Sequence, residues 1–190
     1  MKVAITGANS SVGKNLLVRL SKEEDITIVA GVRNEKVIPE LPKSSAIKPT
    51  VINYDDIKSL EKALDGADIV IHLAGILIET KHSNYANANI AATASIVDAA
   101  KKSDVKSIIF ISVVGASPES RNAYFRSKGV AEELVLSSGL GARILRTPIL
   151  FGPNAAGSQA IIFAIAAGPL TAAAGAVAVA VGSVMSRQLQ

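Results

Sequence analysis

The sequence predicts an α/β fold, a doubly wound parallel sheet with helices on both faces. Three observations carry this. Short apolar runs alternate with amphipathic stretches along the chain up to residue 153. Strands that alternate with helices imply right-handed crossovers and a parallel sheet. The first apolar run leads directly into a glycine-bearing loop and then a helix-like stretch.

The elements follow in order. Lys2–Thr6 (KVAIT) is a buried-type strand, and Gly13–Ser21 is a helix with Leu16, Leu17 and Leu20 on one face. Ile26–Val32 is the second strand. A third lies in Ala46–Ile52, interrupted by Pro49. Ile57–Leu64 places Ile57, Leu60, Ala63 and Leu64 on one helical face, and Asp68–Leu73 is the fourth strand. A long alanine-rich helix spans Tyr85–Lys102, and Ser107–Ser112 is the fifth strand. A helix spans Arg126–Ser138, with Gly139 and Gly141 as stop signals, and Ala142–Leu145 opens a sixth strand.

Composition narrows the function. The chain has 190 residues, 49% of them hydrophobic, and no cysteine, which excludes a disulfide scaffold, a cysteine-ligated metal site and thiol catalysis. His72 and His82 are the two histidines, too few for a histidine-rich metal centre, so no metal site is expected. The net charge of +4 is mild, and no Lys/Arg stripe with interleaved aromatics marks a nucleic-acid surface. A small basic excess equally serves an anionic small molecule. The first residues run straight into a strand, without a secretory signal, so a cytoplasmic protein is expected.

The loop Thr6-Gly7-Ala8-Asn9-Ser10-Ser11-Val12-Gly13 sits between strand and helix, as a dinucleotide-binding loop does in a Rossmann fold. Gly7 permits the tight turn, the small Ser10 lets backbone approach a pyrophosphate, and Gly13 lets the helix pack close to the strand. The helix N-terminus then offers N–H groups to the phosphates. An ordinary strand-to-helix turn is the alternative. After the second strand stands Arg33, where an acidic residue would accept from the ribose 2′-hydroxyl of NAD. Arg33 suits the 2′-phosphate of NADP instead, or is a solvated loop arginine.

These motifs together resemble the short-chain dehydrogenase/reductase superfamily. The branch is the extended or atypical one, with its nucleotide-sugar epimerases, dehydratases and NADPH-binding relatives of a complex I accessory subunit. The resemblance covers residues 1–153, expected to form an NAD(P)-binding Rossmann domain. It rests on TGANSSVG at 6–13, Arg33, DIVIHLAG at 68–75, Asn89 in its alanine-rich helix, FISVVGAS at 110–117, YFRSK at 124–128 and LRTPILFGP at 145–153. It implies NADP as cofactor, with NAD open, bound by Thr6, Gly7, Asn9, Ser10, Ser11, Val12 and Gly13, with Arg33 at the ribose. Asn53, with Tyr54 beside it, takes the place of the family's adenine-contacting aspartate. Leu73, Ala74 and Gly75 line the cofactor, and Asn89 braces that loop or is a surface residue.

The resemblance further implies an oxidoreductase or nucleotide-sugar epimerase/dehydratase acting by hydride transfer. Tyr124 would be its acid/base, Lys128 would lower the phenol pKa and reach the nicotinamide ribose, and Ser112 or Ser117 would hydrogen-bond the reacting oxygen. The alternatives are an amphipathic helix start with an exposed lysine, and a non-catalytic NADPH-binding sensor or assembly subunit. A small-molecule substrate, such as a nucleotide sugar, is the expected partner. A homodimer pairing the helices at 85–102 and 126–138 fits the superfamily habit.

Charge vanishes towards the end: after Arg146 the next charged residue is Arg187. Residues 154–190 read as a partial, alanine-rich, truncated C-terminal substrate lobe. The stretch 160–186 is long enough to span a bilayer, but Gly168-Pro169 interrupts it and Gly175–Val184 alternates like a strand. A membrane span is therefore the lesser reading. Alanines standing in for other side chains are a third.

Overall fold

In the computed structural model, residues 1–148 are described. They contain six strands: β1 (Lys2–Thr6), β2 (Thr27–Val32), β3 (Ile47–Val51), β4 (Ile69–His72), β5 (Ser107–Val113) and β6 (Gly141–Thr147). Four α-helices accompany them: α1 (Ser11–Leu20), α2 (Ile57–Leu64), α3 (Ala92–Lys102) and α4 (Ala123–Leu136). The strands form one parallel sheet in the order β3-β2-β1-β4-β5-β6. The order reverses between β1 and β4. A crevice opens beyond the carboxyl ends of the strands at such a switch point.

Strand parity explains the two-sided burial. Val3 and Ile5 of β1 join Ile28, Ala30 and Val32 of β2 and Leu17 of α1 in one core. Ala4 faces the other way, into a core with Val29, Val70, Ile108, Phe110, Leu60, Ile96 and Val135. Leu16, Leu17 and Leu20 therefore cover one face, and α2, α3 and α4 cover the other. Both faces being covered, the strands read as near-continuous apolar runs rather than as alternation.

Several boundaries differ from the sequence expectation, each for a local reason. The first helix begins at Ser11, because Ser10 is its N-cap and its hydroxyl accepts from Gly13 N. Pro49 does not break β3: this is an edge strand, which tolerates a missing N–H. Residues Glu35–Glu40 form an unexpected 3₁₀ helix, capped by Asn34. The alanine-rich helix is not uniform, since Ala86–Ala91 has π-type hydrogen bonding before α3 begins. The helix expected from Arg126 starts at Ala123, where Asn122 accepts from the N–H groups of Tyr124 and Phe125. Gly139, at φ +78°, makes the turn after α4, whereas Gly141 is the first residue of β6. The expected lobe at 154–190, the bilayer-length stretch at 160–186 and the end of LRTPILFGP lie outside the described residues. Among the described residues, no helix is long and apolar enough to cross a membrane.

Candidate functional site

A cleft of about 740 Å³ opens at the switch point. Its floor is the loop after β1, with Gly7, Asn9 and Ser10, and the loop after β4, with Leu73, Ala74 and Gly75. Arg33 and Asn53, beyond β2 and β3, line one end of it together with Tyr54. Nine residues expected at a dinucleotide thus come together around one cavity.

The glycines are required by close approach. Gly7 sits at φ +70°, and a Cβ there would lie 2.9 Å from Ala74 N. A Cβ on Gly13 would lie 2.6 Å from Ala8 O and 2.7 Å from Gly7 O. Ser10 Oγ accepts from Gly13 N at 3.0 Å, which leaves its proton for an anion in the cleft. A loop without room for a side chain, at a capped helix N-terminus, fits a dinucleotide pyrophosphate.

Asn89 is a buried brace rather than a surface residue. It is 2% exposed. Its Oδ1 accepts from Ile76 N at 2.8 Å, and its Nδ2 donates to Ile76 O at 3.2 Å and to Ser127 Oγ at 3.0 Å. It therefore holds the loop after β4 without lining the cleft. Thr6 also differs from expectation: its hydroxyl turns inward to His72 Nδ1 at 2.6 Å, because residue 6 shares with Ala4 the sheet face covered by α2, α3 and α4. At Asn53, Oδ1 accepts from Asp55 N at 3.0 Å, forming a short Asx turn.

Ser112, Tyr124 and Lys128 do not line this cleft. Ser112 is fully buried, on the same face of β5 as Ile108 and Phe110, and its hydroxyl has no hydrogen-bond partner among the described residues. Ser117 Oγ donates to Glu119 Oε2 at 2.6 Å. Lys128 is buried, not exposed: its Nζ donates to Ile111 O at 2.7 Å and lies 4.0 Å from the centre of the Phe110 ring. Burial lowers its pKa from 10.5 to about 8, although Glu132 pulls it back upward.

Tyr124 packs its ring against Tyr85 at 5.7 Å. Its pKa is raised, by burial first and by Tyr85 second. The expected lowering by Lys128 is not seen: its ammonium is engaged by Ile111 O and the Phe110 ring, and burial of the phenol outweighs it.

Sequence reasoning missed three kinds of site residue. Asp55, His82 and Ser83 line the cleft from loops. Ala88, Ala91 and Ser95 line it from the helical wall that begins in the π-type run. His72 lies behind it, wholly buried, its ring stacked 5.6 Å from Phe110 and its Nε2 3.1 Å from Thr93 Oγ1. The signal for His72 was its place in DIVIHLAG, two residues after the buried Val70 on the same strand face.

Fold and cleft together define a dinucleotide-binding domain of the Rossmann type. The chain belongs to the NAD(P)H-binding family, whose model matches residues 7–180, within the extended short-chain dehydrogenase/reductase group. It is 30% identical over 155 residues to the mitochondrial NADH dehydrogenase (ubiquinone) 1 alpha subcomplex subunit 9 of Dictyostelium discoideum, a match covering 78% of this chain and 42% of that protein. It is 30% identical over 158 residues to UDP-2-acetamido-2,6-beta-L-arabino-hexul-4-ose reductase of Pseudomonas aeruginosa, covering 80% of this chain and 36% of the relative. The matched stretch thus spans less than half the length of either relative. Among solved structures, UDP-glucuronic acid 4-epimerase from Bacillus cereus in complex with NAD superposes with a TM-score of 0.68 at 24% identity, over 81% of this chain and 58% of that one. That likeness shows the fold.

Proposed function

We propose that this domain binds NADP(H) and serves the reduction of a carbonyl on a small-molecule substrate, with a nucleotide sugar as one candidate class. The observation that carries the binding is the cleft itself. It runs from Arg33 to Gly75 over a loop with no space for side chains at Gly7 and Gly13. Gly7, Asn9 and Ser10 would hold the pyrophosphate, Arg33 the 2′-phosphate, and Asn53 and Tyr54 the adenine end. The bound nicotinamide would supply the hydride. Tyr124 would hold the proton for the substrate oxygen. A phenol is protonated at neutral pH, and burial pushes the Tyr124 pKa further up, in keeping with the acid role.

Calorimetric titration of the full chain with NADPH and with NADH tests the reading. A charge-assisted fork to the 2′-phosphate is worth about 1.5–3 kcal/mol, so Arg33→Ala should weaken NADPH about 10- to 100-fold and leave NADH nearly unchanged. Equal loss for both nucleotides would remove the 2′-phosphate role. Binding of neither by the wild type would remove the cofactor reading.

A second reading has a specific observation behind it. The Lys128 ammonium is engaged by the Ile111 carbonyl and the Phe110 ring, and one of the 30% identical relatives is a complex I subunit. Both favour a protein that holds NADPH without turnover. Tyr124→Phe separates the two: loss of carbonyl reduction with NADPH affinity intact supports the reductase, and NADPH binding without reduction of any carbonyl supports the holding subunit.

A further inference from the structure

Behind the cleft wall runs a buried line of polar groups, of which His72 and Thr93 have been given no role. It starts at Tyr54, whose hydroxyl is buried beside Thr6 without a well-formed hydrogen bond. It continues from Thr6 Oγ1 to His72 Nδ1 (2.6 Å), from His72 Nε2 to Thr93 Oγ1 (3.1 Å) and from Thr93 Oγ1 to the carbonyl of Asn89 (2.6 Å). Thr6, His72, Asn89 and Thr93 are each no more than 2% exposed.

Donor counting fixes the direction of this line. Thr93 has one hydroxyl proton, and it goes to the Asn89 carbonyl. Thr93 must then accept from His72, so the ring proton sits on Nε2. Burial drives the His72 pKa down to about 3, with the Lys128 charge adding to the effect, so the ring is neutral and Nδ1 is bare. A bare Nδ1 accepts the Thr6 proton. The protons of Thr6, His72 and Thr93 therefore each have one acceptor.

The far end of the line is the cleft wall. Asn89 belongs to the π-type run, and Ala88 and Ala91 beside it line the cleft. The same residue grips Ile76 through two hydrogen bonds and sits so close to Gly75 that a Cβ there would lie 2.9 Å from its Oδ1. A shift of the Asn89 backbone thus moves both the wall and the loop. We infer that His72 is a positioning residue for the dinucleotide cleft, held as the Nε2–H tautomer so that Thr6, His72 and Thr93 fix the Asn89 carbonyl and the two sides of the cleft with it. The role rests on the dinucleotide reading above.

Two measurements on the full chain test it. Long-range proton–nitrogen correlation on histidine-labelled protein reads the tautomer without any nucleotide, and the Nε2–H form is expected. Calorimetry with NADPH then compares Thr93→Val, which keeps the shape but not the hydroxyl, with Thr93→Ser. The Val variant should bind about 10-fold more weakly, the Ser variant within about 3-fold of wild type, at a temperature where circular dichroism shows all three folded. His72→Asn, which can donate to Thr93 and accept from Thr6, should retain more affinity than His72→Phe. An Nδ1–H tautomer, or wild-type affinity in Thr93→Val, overturns the inference while leaving NADPH binding in place. A wild type that binds no NADPH sinks the dinucleotide reading and this role with it.

Discussion

Lys128 offers a quantitative test, because its cost is written into pH dependence. The side chain is 7% exposed, and burial lowers its pKa from 10.5 to about 8. At about 1.4 kcal/mol for each tenfold change in proton affinity, the charged lysine costs the folded state about 3 kcal/mol relative to an unperturbed one. The sign follows from proton counting. Between pH 8 and pH 10.5 the unfolded chain carries a proton on Lys128 that the folded chain has released, so stability rises with pH across this window. Below it both states are protonated and the contribution is flat. Urea unfolding of wild type and Lys128→Met should be followed from about pH 7 to about pH 10.5, the window set by linkage. Other titrating groups affect both proteins alike. The methionine variant loses the bond to Ile111 O and the contact with Phe110, which offsets its curve by a nearly constant amount. The stability difference between the two should move by about 3 kcal/mol in favour of wild type as pH rises. Parallel curves would refute the argument and mean that the ammonium is solvated.

Four further outcomes are expected. Gly129→Ala should destabilise by about 3 kcal/mol or more, seen as a fall in Tm of about 6–12 °C, since its Cβ would lie 2.2 Å from Ser117 C and 2.4 Å from Pro118 N, both backbone. Gly13→Ala should keep the circular dichroism of the fold but weaken NADPH at least about 10-fold by calorimetry, because the Cβ collides with the loop carbonyls. Acid should destabilise wild type as pH falls below the ordinary histidine value of 6.5, since the unfolded chain takes a proton that His72, at about 3, refuses; His72→Asn should flatten that slope in pH-dependent urea unfolding. Glu132→Gln should shift the Lys128 titration further down, because Glu132 raises that pKa, and should destabilise only modestly in urea, because the Arg146 side chain it leaves unpaired is half exposed and stays hydrated.

The side of the cleft from Gly7 to Arg33 and Asn53 was legible in the sequence because backbone demands set it. A tight turn at Gly7 and a close helix at Gly13 admit few alternatives, and Arg33, Asn53 and Gly75 follow from where strands end. The strands were legible for the same reason, since burial on both faces writes continuous apolar runs. Helix starts were less so. Ser10 and Asn122 are both ordinary capping residues, yet each has Ser or Asn neighbours that offer the same chemistry a residue or two away.

The rest of the site depends on which way a long or polar side chain turns inside the fold, and spacing does not specify that. Tyr124 and Lys128 are four apart on α4, as the motif requires, but a lysine stem can carry its ammonium to either side of the helix start. Once buried, the ammonium needs an acceptor, and the Ile111 carbonyl and the face of Phe110 supply one where the phenol, raised by its own burial, does not. Phe110 carries His72 on a parallel stack, and the Lys128 charge helps keep that imidazole neutral. The tyrosine–lysine motif and the hidden histidine are thus two parts of one electrostatic arrangement. A lysine drawn out of it toward a bound ribose would relieve the pressure on His72. For that reason the His72 and Lys128 variants should not be additive in NADPH affinity: a double-mutant cycle with Lys128→Met and His72→Asn should give a coupling of about 0.5 kcal/mol or more, and strict additivity would show that the two halves are independent.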